Sequence, residues 1–315
     1  MTTDFDTANF NALDNNALNS NTLNSDTANN AATSDNANHN APIGLFDSGV
    51  GGLSIYLHLQ KQLPNERFIY YADSQNLPYG DKTHEQISTF TEQAAAWLVA
   101  QGVKMIVIAC NSASAYTLER LRALYHIPIV GLVPALKPAT TLTKTGNIAV
   151  LATQATLNGK SLNAIIQNHA SPYGIVVKKY FEPSLVPWVE LGMPSNHPAC
   201  QYLADFLDTL HKERIDVLVL GCTHYPFFRP HLQHHINKQQ LTISLIDSGL
   251  AIAQRVQFLL DELQLSTQNN NPSAPLQFYS SKAGSEITAK RLINLPLVVI
   301  NNKSITNPID DGTPC

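Results

Sequence analysis

From Pro42 onward, short apolar runs alternate with longer amphipathic stretches, and this pattern constrains the fold of the 315-residue chain more than any other feature. The apolar runs read "IGLF", "RFIYYAD", "MIVIAC", "IPIVGLV", "NIAVLA", "IVVKKYF", "VLVLGC" and "ISLID". Helical patterning lies between them at residues 83–101, 114–126, 157–169, 197–214 and 250–265. Buried strands alternating with helices at this spacing predict an α/β fold with largely parallel sheets and right-handed crossovers. One sheet holding so many strands would be large, so two α/β domains are expected.

Composition narrows the function. Hydrophobic residues make up 44% of the chain, ample for a large core. A formal net charge of -4, without any Lys/Arg-rich run, supplies no field for capturing nucleic acid, so no nucleic-acid partner is expected and a small molecule is favoured. No segment has the length of a membrane span, and the first basic residue is Lys61 with no apolar stretch before it, so neither a membrane association nor a signal peptide is expected. The four cysteines, Cys110, Cys200, Cys222 and Cys315, show no zinc or CxxC spacing and suit free thiols in a reducing cytoplasm. Residues 1–41 are rich in Asn, Ala, Thr, Ser and Asp, a composition expected to stay disordered as a solvated appendage.

Two of the cysteines occupy matching settings. "MIVIACNSASAY" and "VLVLGCTHYPFF" each run an apolar strand into a thiol followed by polar residues, Asn111 and Ser112 in one, Thr223 and His224 in the other. Ligands of open α/β sheets bind beyond the carboxyl ends of strands, where both thiols fall. The same holds for "LFDSGVGG", in which Asp47 and Ser48 precede glycines that would let backbone approach a ligand closely. A helix N-terminus lowers a thiol's pKa, so both cysteines are expected to exchange protons near neutral pH. Two thiols facing each other suit stereoinversion: one takes a proton from a carbon centre and the other returns one to the opposite face. The α-hydrogen of an amino acid is very weakly acidic, so preorganised donors must stabilise the carbanionic transition state, with Ser48, Asn111 and Thr223 as candidates.

"LFDSGVGGLS", "YYADSQNLPYGDKT", "VIACNSASA", "VPWVELG" and "LGCTHYPFF", in this order, closely resemble the glutamate racemases, from about Ile43 to about Leu292. The resemblance implies a cofactor-independent isomerase, with no metal, that supplies D-glutamate for the bacterial cell wall. It implies Cys110 and Cys222 as the catalytic thiols, the first acting on D-glutamate and the second on L-glutamate. Asp47 would be the polar partner of Cys110, His224 that of Cys222, and Glu190 a supporting acid. Ser48, Pro78, Tyr79, Gly80, Asn111, Ser112, Thr153, Thr156 and Thr223, together with Asp47 and His224, would hold the substrate. It further implies a homodimer and two similar domains enclosing the site in their cleft, the first at 42–134 plus 245–315 and the second at 135–244. Ser112 stands where many members have Thr, and Ala72 where Gly is frequent.

Simpler roles compete for several of these residues. Asp47 could cap the following helix, Glu190 could be an ordinary surface carboxylate, and His224 a hydrogen-bonded core histidine. The glycines after Asp47 lack both the P-loop lysine and the dinucleotide fingerprint, so no nucleotide is assigned. His231, His234 and His235 share a predicted helix, read as a solvated face rather than a metal site. Cys200 and Cys315 look incidental. "LIDSG" at residues 245–249 echoes "LFDSG" and hints weakly at internal symmetry. Competing activities are aspartate racemase and, in another class, a thiol hydrolase with Cys222 as nucleophile and His224 as base.

Overall fold

The computed structural model describes residues 39–271 and 274–300. Within them lie two parallel sheets. The first contains β1 (Ile43–Asp47), β2 (Phe68–Ala72), β3 (Met105–Ile108), β4 (Ile129–Gly131), β9 (Leu276–Ser280) and β10 (Leu297–Val299), in the order β10-β9-β2-β1-β3-β4. The second contains β5 (Asn147–Leu151), β6 (Val176–Tyr180), β7 (Val217–Leu220) and β8 (Ser244–Ile246), in the order β6-β5-β7-β8. Every strand pair is parallel.

Burial explains why the sequence runs look as they do. β1, β3 and β7 are buried at every position, as their unbroken apolar composition requires of central parallel strands. β6 lies at a sheet edge, is largely exposed, and carries Lys178 and Lys179, charges that discourage pairing with another chain.

Helices α1 (Leu53–Gln62), α2 (His84–Ala100), α3 (Asn111–Leu124) and α4 (Leu136–Leu142) link the early strands. Thr83 and Gln86 close a reciprocal capping box at the start of α2. The helix expected at 157–169 is broken instead into α5 (Gln154–Asn158), α6 (Lys160–Ile165) and a wider turn at Ile166–Ala170. The break falls at Gly159, which is extended and serves as C-cap of one helix and N-cap of the next. Further on come α7 (Leu185–Glu190), α8 (Ala199–Lys212), α9 (Arg229–Gln239), α10 (Gly249–Glu262) and α11 (Ser285–Ile293).

Two boundaries differ from the sequence reading. β8 pairs with β7, so the second sheet extends through Ile246 rather than ending at 244. Residues 39–41, grouped with the N-terminal extension, join the fold: Ala41 is buried and Lys104 Nζ donates to the His39 carbonyl at 2.6 Å. The rest of that extension, like Cys315, lies outside the described residues.

Candidate active site

β1 lies between β2 and β3, and β5 lies between β6 and β7, so each sheet has one point where strand order reverses. A crevice opens beyond the strand ends at such a point, between the connections that leave on opposite faces. In the first sheet Asp47 ends β1 and Cys110 follows β3; in the second Thr153 follows β5 and Cys222 follows β7. These crevices meet in a single pocket. Cys110, Asn111 and Ser112 line it from one sheet with Ser48, Pro78, Tyr79 and Gly80, while Thr153, Cys222, Thr223 and His224 line it from the other. Val186 on α7 also lines it; it opens the stretch "VPWVELG", but its apolar side chain gives no sign of a site position.

The two thiols differ in their surroundings. Cys110 is the N-cap of α3 and donates to the Ser48 hydroxyl at 3.7 Å. Burial pushes its pKa up to about 12, aided by the Asp47 charge and opposed by backbone donors at Ala113 and Ser48. The expected lowering at a helix N-terminus is thus present but outweighed by desolvation. Cys222 is not a helix cap: a short turn, Tyr225–Phe228, separates it from α9. Its sulfur instead lies 3.8 Å from His224 Nδ1, and His224 Nε2 lies 2.8 Å from Glu190 Oε1. Burial alone would lower the His224 pKa, but the bonds to Cys222 and Glu190 together hold it well above the usual histidine value.

Asp47 is fully buried. One carboxylate oxygen accepts from Gly49 N at 2.7 Å and the other from the Thr223 hydroxyl at 2.9 Å. It caps no helix, since α1 begins after Gly52. Burial lifts its pKa to about 6, with the His224 charge pulling the other way. Its nearest hydrogen bonds therefore run to Gly49 and Thr223, whereas Ser48 is the group bonded to Cys110. Asp247, in the echo sequence, makes the same local bond, from Gly249 N to Oδ1 at 2.9 Å, so the two DSG stretches share a turn.

The glycines after Asp47 do a different job from the one expected. A Cβ on Gly49 would collide with the Glu190 carboxylate, and one on Gly51 with the His224 ring. Close approach here serves protein side chains, and Val50 N donates to Glu190 Oε1 at 2.8 Å. Ser54 Oγ, in the first turn of α1, donates to the Thr223 carbonyl at 2.7 Å, tying that helix to the loop after β7.

A hydroxyl chain closes the other side: Ser112 Oγ lies 2.8 Å from Thr153 Oγ1, which lies 3.0 Å from Thr156 Oγ1. Asp47, Thr156 and Glu190 are not among the residues lining the pocket and stand behind it. Tyr79 reaches Asp73 Oδ2 at 2.7 Å, and Tyr70 reaches the Gly49 carbonyl at 2.9 Å. Neither Asp73 nor Tyr70 is among the site residues expected from the sequence, although both fall within "YYADSQNLPYGDKT"; a polar group at the end of an apolar strand is the local signal for them.

With this geometry in view, the family described as Asp/Glu/hydantoin racemase matches residues 43–256. The chain belongs to the Asp/Glu/hydantoin racemase family. It is 45% identical over 231 residues to a protein named glutamate racemase from Deinococcus radiodurans, covering 73% of this chain and 79% of the relative. A crystal structure of a glutamate racemase isoform from Bacillus anthracis is similar with TM-score 0.73 at 29% identity, covering 82% of this chain and 96% of that one. A glutamate racemase from Francisella tularensis, solved with D-glutamate, is similar with TM-score 0.69 at 31% identity, covering 84% and 98%.

Other singled-out residues of this racemase-family chain lie elsewhere. His231 and His234 are exposed on α9; the first meets Trp188 edge-on, while His235 Nε2 sits 2.9 Å from Asp208 Oδ1. Cys200 is half-buried on α8. Among the described residues, no helix is long and apolar enough to cross a membrane.

Proposed function

We propose that this chain is a glutamate racemase that interconverts L- and D-glutamate by proton transfer between two cysteines, without a cofactor. The observation that carries the reading is the placement of Cys110 and Cys222, each at the strand-order reversal of a different sheet, in the wall of one pocket. On L-glutamate, Cys222 takes the α-proton as a thiolate, the C–H electron pair spreads into the α-carboxylate, and the Cys110 thiol delivers its proton to the opposite face. The reverse direction exchanges the two roles. Asn111 Oδ1, buried without a partner among the described residues, offers an acceptor to the substrate ammonium. An ammonium bound near Asp47 would offset the carboxylate charge, one of the causes that holds the Cys110 thiol protonated.

In this reading Asp47, Glu190 and His224 tune the thiols, while Ser48, Pro78, Tyr79, Gly80, Asn111, Ser112, Thr153, Thr156 and Thr223 hold or support the substrate. The two sheets are the cores of two domains, the protein works in the cytoplasm as a homodimer, and its D-glutamate serves cell-wall synthesis. The sequence Cys222–His224–Glu190 also has the connectivity of a thiol nucleophile, its base and an orienting acid, which favours a hydrolase as the second reading. Circular dichroism of L-glutamate and L-aspartate incubated separately with the enzyme tests the substrate. Decay of the glutamate signal to zero supports the proposal, and decay of aspartate alone rejects it.

A further inference from the structure

Glu190 is the last residue of α7, a helix of six residues. Its last turn is closed by its own backbone, Leu191 N donating to the Pro187 carbonyl at 3.0 Å and Gly192 N to that of Val189 at 2.8 Å. A helix this short nevertheless has little internal cooperativity and leans on tertiary contacts for its placement. The Glu190 carbonyl accepts from the Thr288 hydroxyl of α11 at 2.9 Å. Two residues on, Gly192 has φ +82, and a Cβ there would fall 2.5 Å from an Arg291 guanidinium nitrogen. Leu292 packs against both the core around β1 and the core around Trp188. Residues 288, 291 and 292 share one helical face, so α11 offers a continuous edge to the end of α7. α11 also lies beyond residues 43–256, the span matched by the family.

We propose that α11 is a brace for one of the two thiols: Thr288, supported by Arg291, is a positioning residue that fixes Glu190 and through it the His224–Cys222 pair. The proposal rests on the racemase reading only for its kinetic consequence. The bond from Thr288 reaches the main chain of Glu190, and the carboxylate of the same residue meets both His224 Nε2 and Val50 N. A shift at the helix end is therefore felt at the imidazole. The titratable groups that face His224 are Cys222 from its own loop, Glu190 from α7 and Asp47 from the end of β1. Cys110 belongs to a different apolar cluster from Ala289 and Ile293 of α11, so the brace is assigned to the Cys222 side of the site.

The test compares full-length wild type with Thr288→Val and Thr288→Ser. The His224 titration is followed by NMR of histidine-labelled protein, and kcat and KM are measured with L- and D-glutamate. With the hydroxyl removed, the His224 midpoint falls toward the ordinary histidine value. Loss of that one bond lowers kcat for L-glutamate by about three- to tenfold, with KM little changed. Thr288→Ser restores both. Should Thr288→Val fail to fold, Thr288→Ala removes the same bond at a half-buried position and is expected to behave alike. An unchanged midpoint in the Val or Ala variant overturns the proposal, as does equal loss in the Ser variant. A lowered midpoint in a protein that does not racemise glutamate upholds the brace and rejects the substrate reading.

Discussion

The Thr223 hydroxyl donates to the Asp47 carboxylate at 2.9 Å, fastening the loop after β7 in one sheet to the end of β1 in the other. The bond places a buried charge between the two cysteine loops, and the loop glycines, His224 and Glu190 are packed around it. Its consequences can be measured.

Asp47→Asn is expected to flatten the dependence of stability on pH. The folded pKa of Asp47, about 6, lies above the unfolded value of 3.8, so the folded state binds more protons between these values. Stability therefore falls as pH rises through that window, by roughly 3 kcal/mol in total. Asparagine carries no charge and removes the slope, although it gives up one acceptor. Urea unfolding at a series of pH values from 4 to 8 checks this; an unchanged slope in the variant would place the titration on another group.

Gly51→Ala is expected to lower both stability and turnover. The new methyl group would collide with His224 Nδ1, so the ring or the loop must shift. Overpacking of this kind costs about 1–3 kcal/mol, and displacement of the imidazole from Cys222 should reduce kcat by more than about tenfold. Thermal unfolding and steady-state kinetics measure the two effects; wild-type values for both would show that the loop yields freely.

Glu190→Gln is expected to lower the His224 pKa by removing its charged partner. The folded pKa stands above the unfolded value of 6.5, so protonated His224 contributes stability that is fully present below pH 6.5 and lost as pH rises through the folded value. In the variant that loss should occur at lower pH. Stability curves for the two proteins above neutral pH that coincide would contradict the role given to Glu190.

Much of this was legible in the sequence. The apolar runs ending in Cys110 and Cys222 marked central strands because burial on both faces leaves no room for polar alternation. The strands β9 and β10 escaped notice, since "LQFYS" and "LVV" are short and alternate weakly. The packing of the loop glycines was also hidden: Gly49 meets Glu190, 141 positions on, and Gly51 meets His224, 173 positions on, and no local pattern encodes such meetings. Burial of Cys110 reversed the pKa direction expected from its helix position, because desolvation depends on the assembled core.

Lys104→Met is expected to destabilise the fold by about 3–5 kcal/mol. Lys104 and Glu66 form a 2.6 Å ion pair with side chains only 3% and 4% exposed, and Lys104 also donates to the carbonyls of His39 and Leu265. Removing the cation strands a buried carboxylate. Adding Glu66→Leu should recover part of the loss, as chemical denaturation of the single and double variants would reveal; a single variant of wild-type stability would contradict the pairing.

The most direct measurement follows racemisation of L- and D-glutamate by circular dichroism with wild type, Cys110→Ala and Cys222→Ala, without added cofactor or metal. Two-thiol proton transfer predicts that wild type drives both enantiomers to zero ellipticity and that each variant loses that activity. Full activity in Cys110→Ala would contradict it and turn attention to Cys222 with His224 as a nucleophile and base.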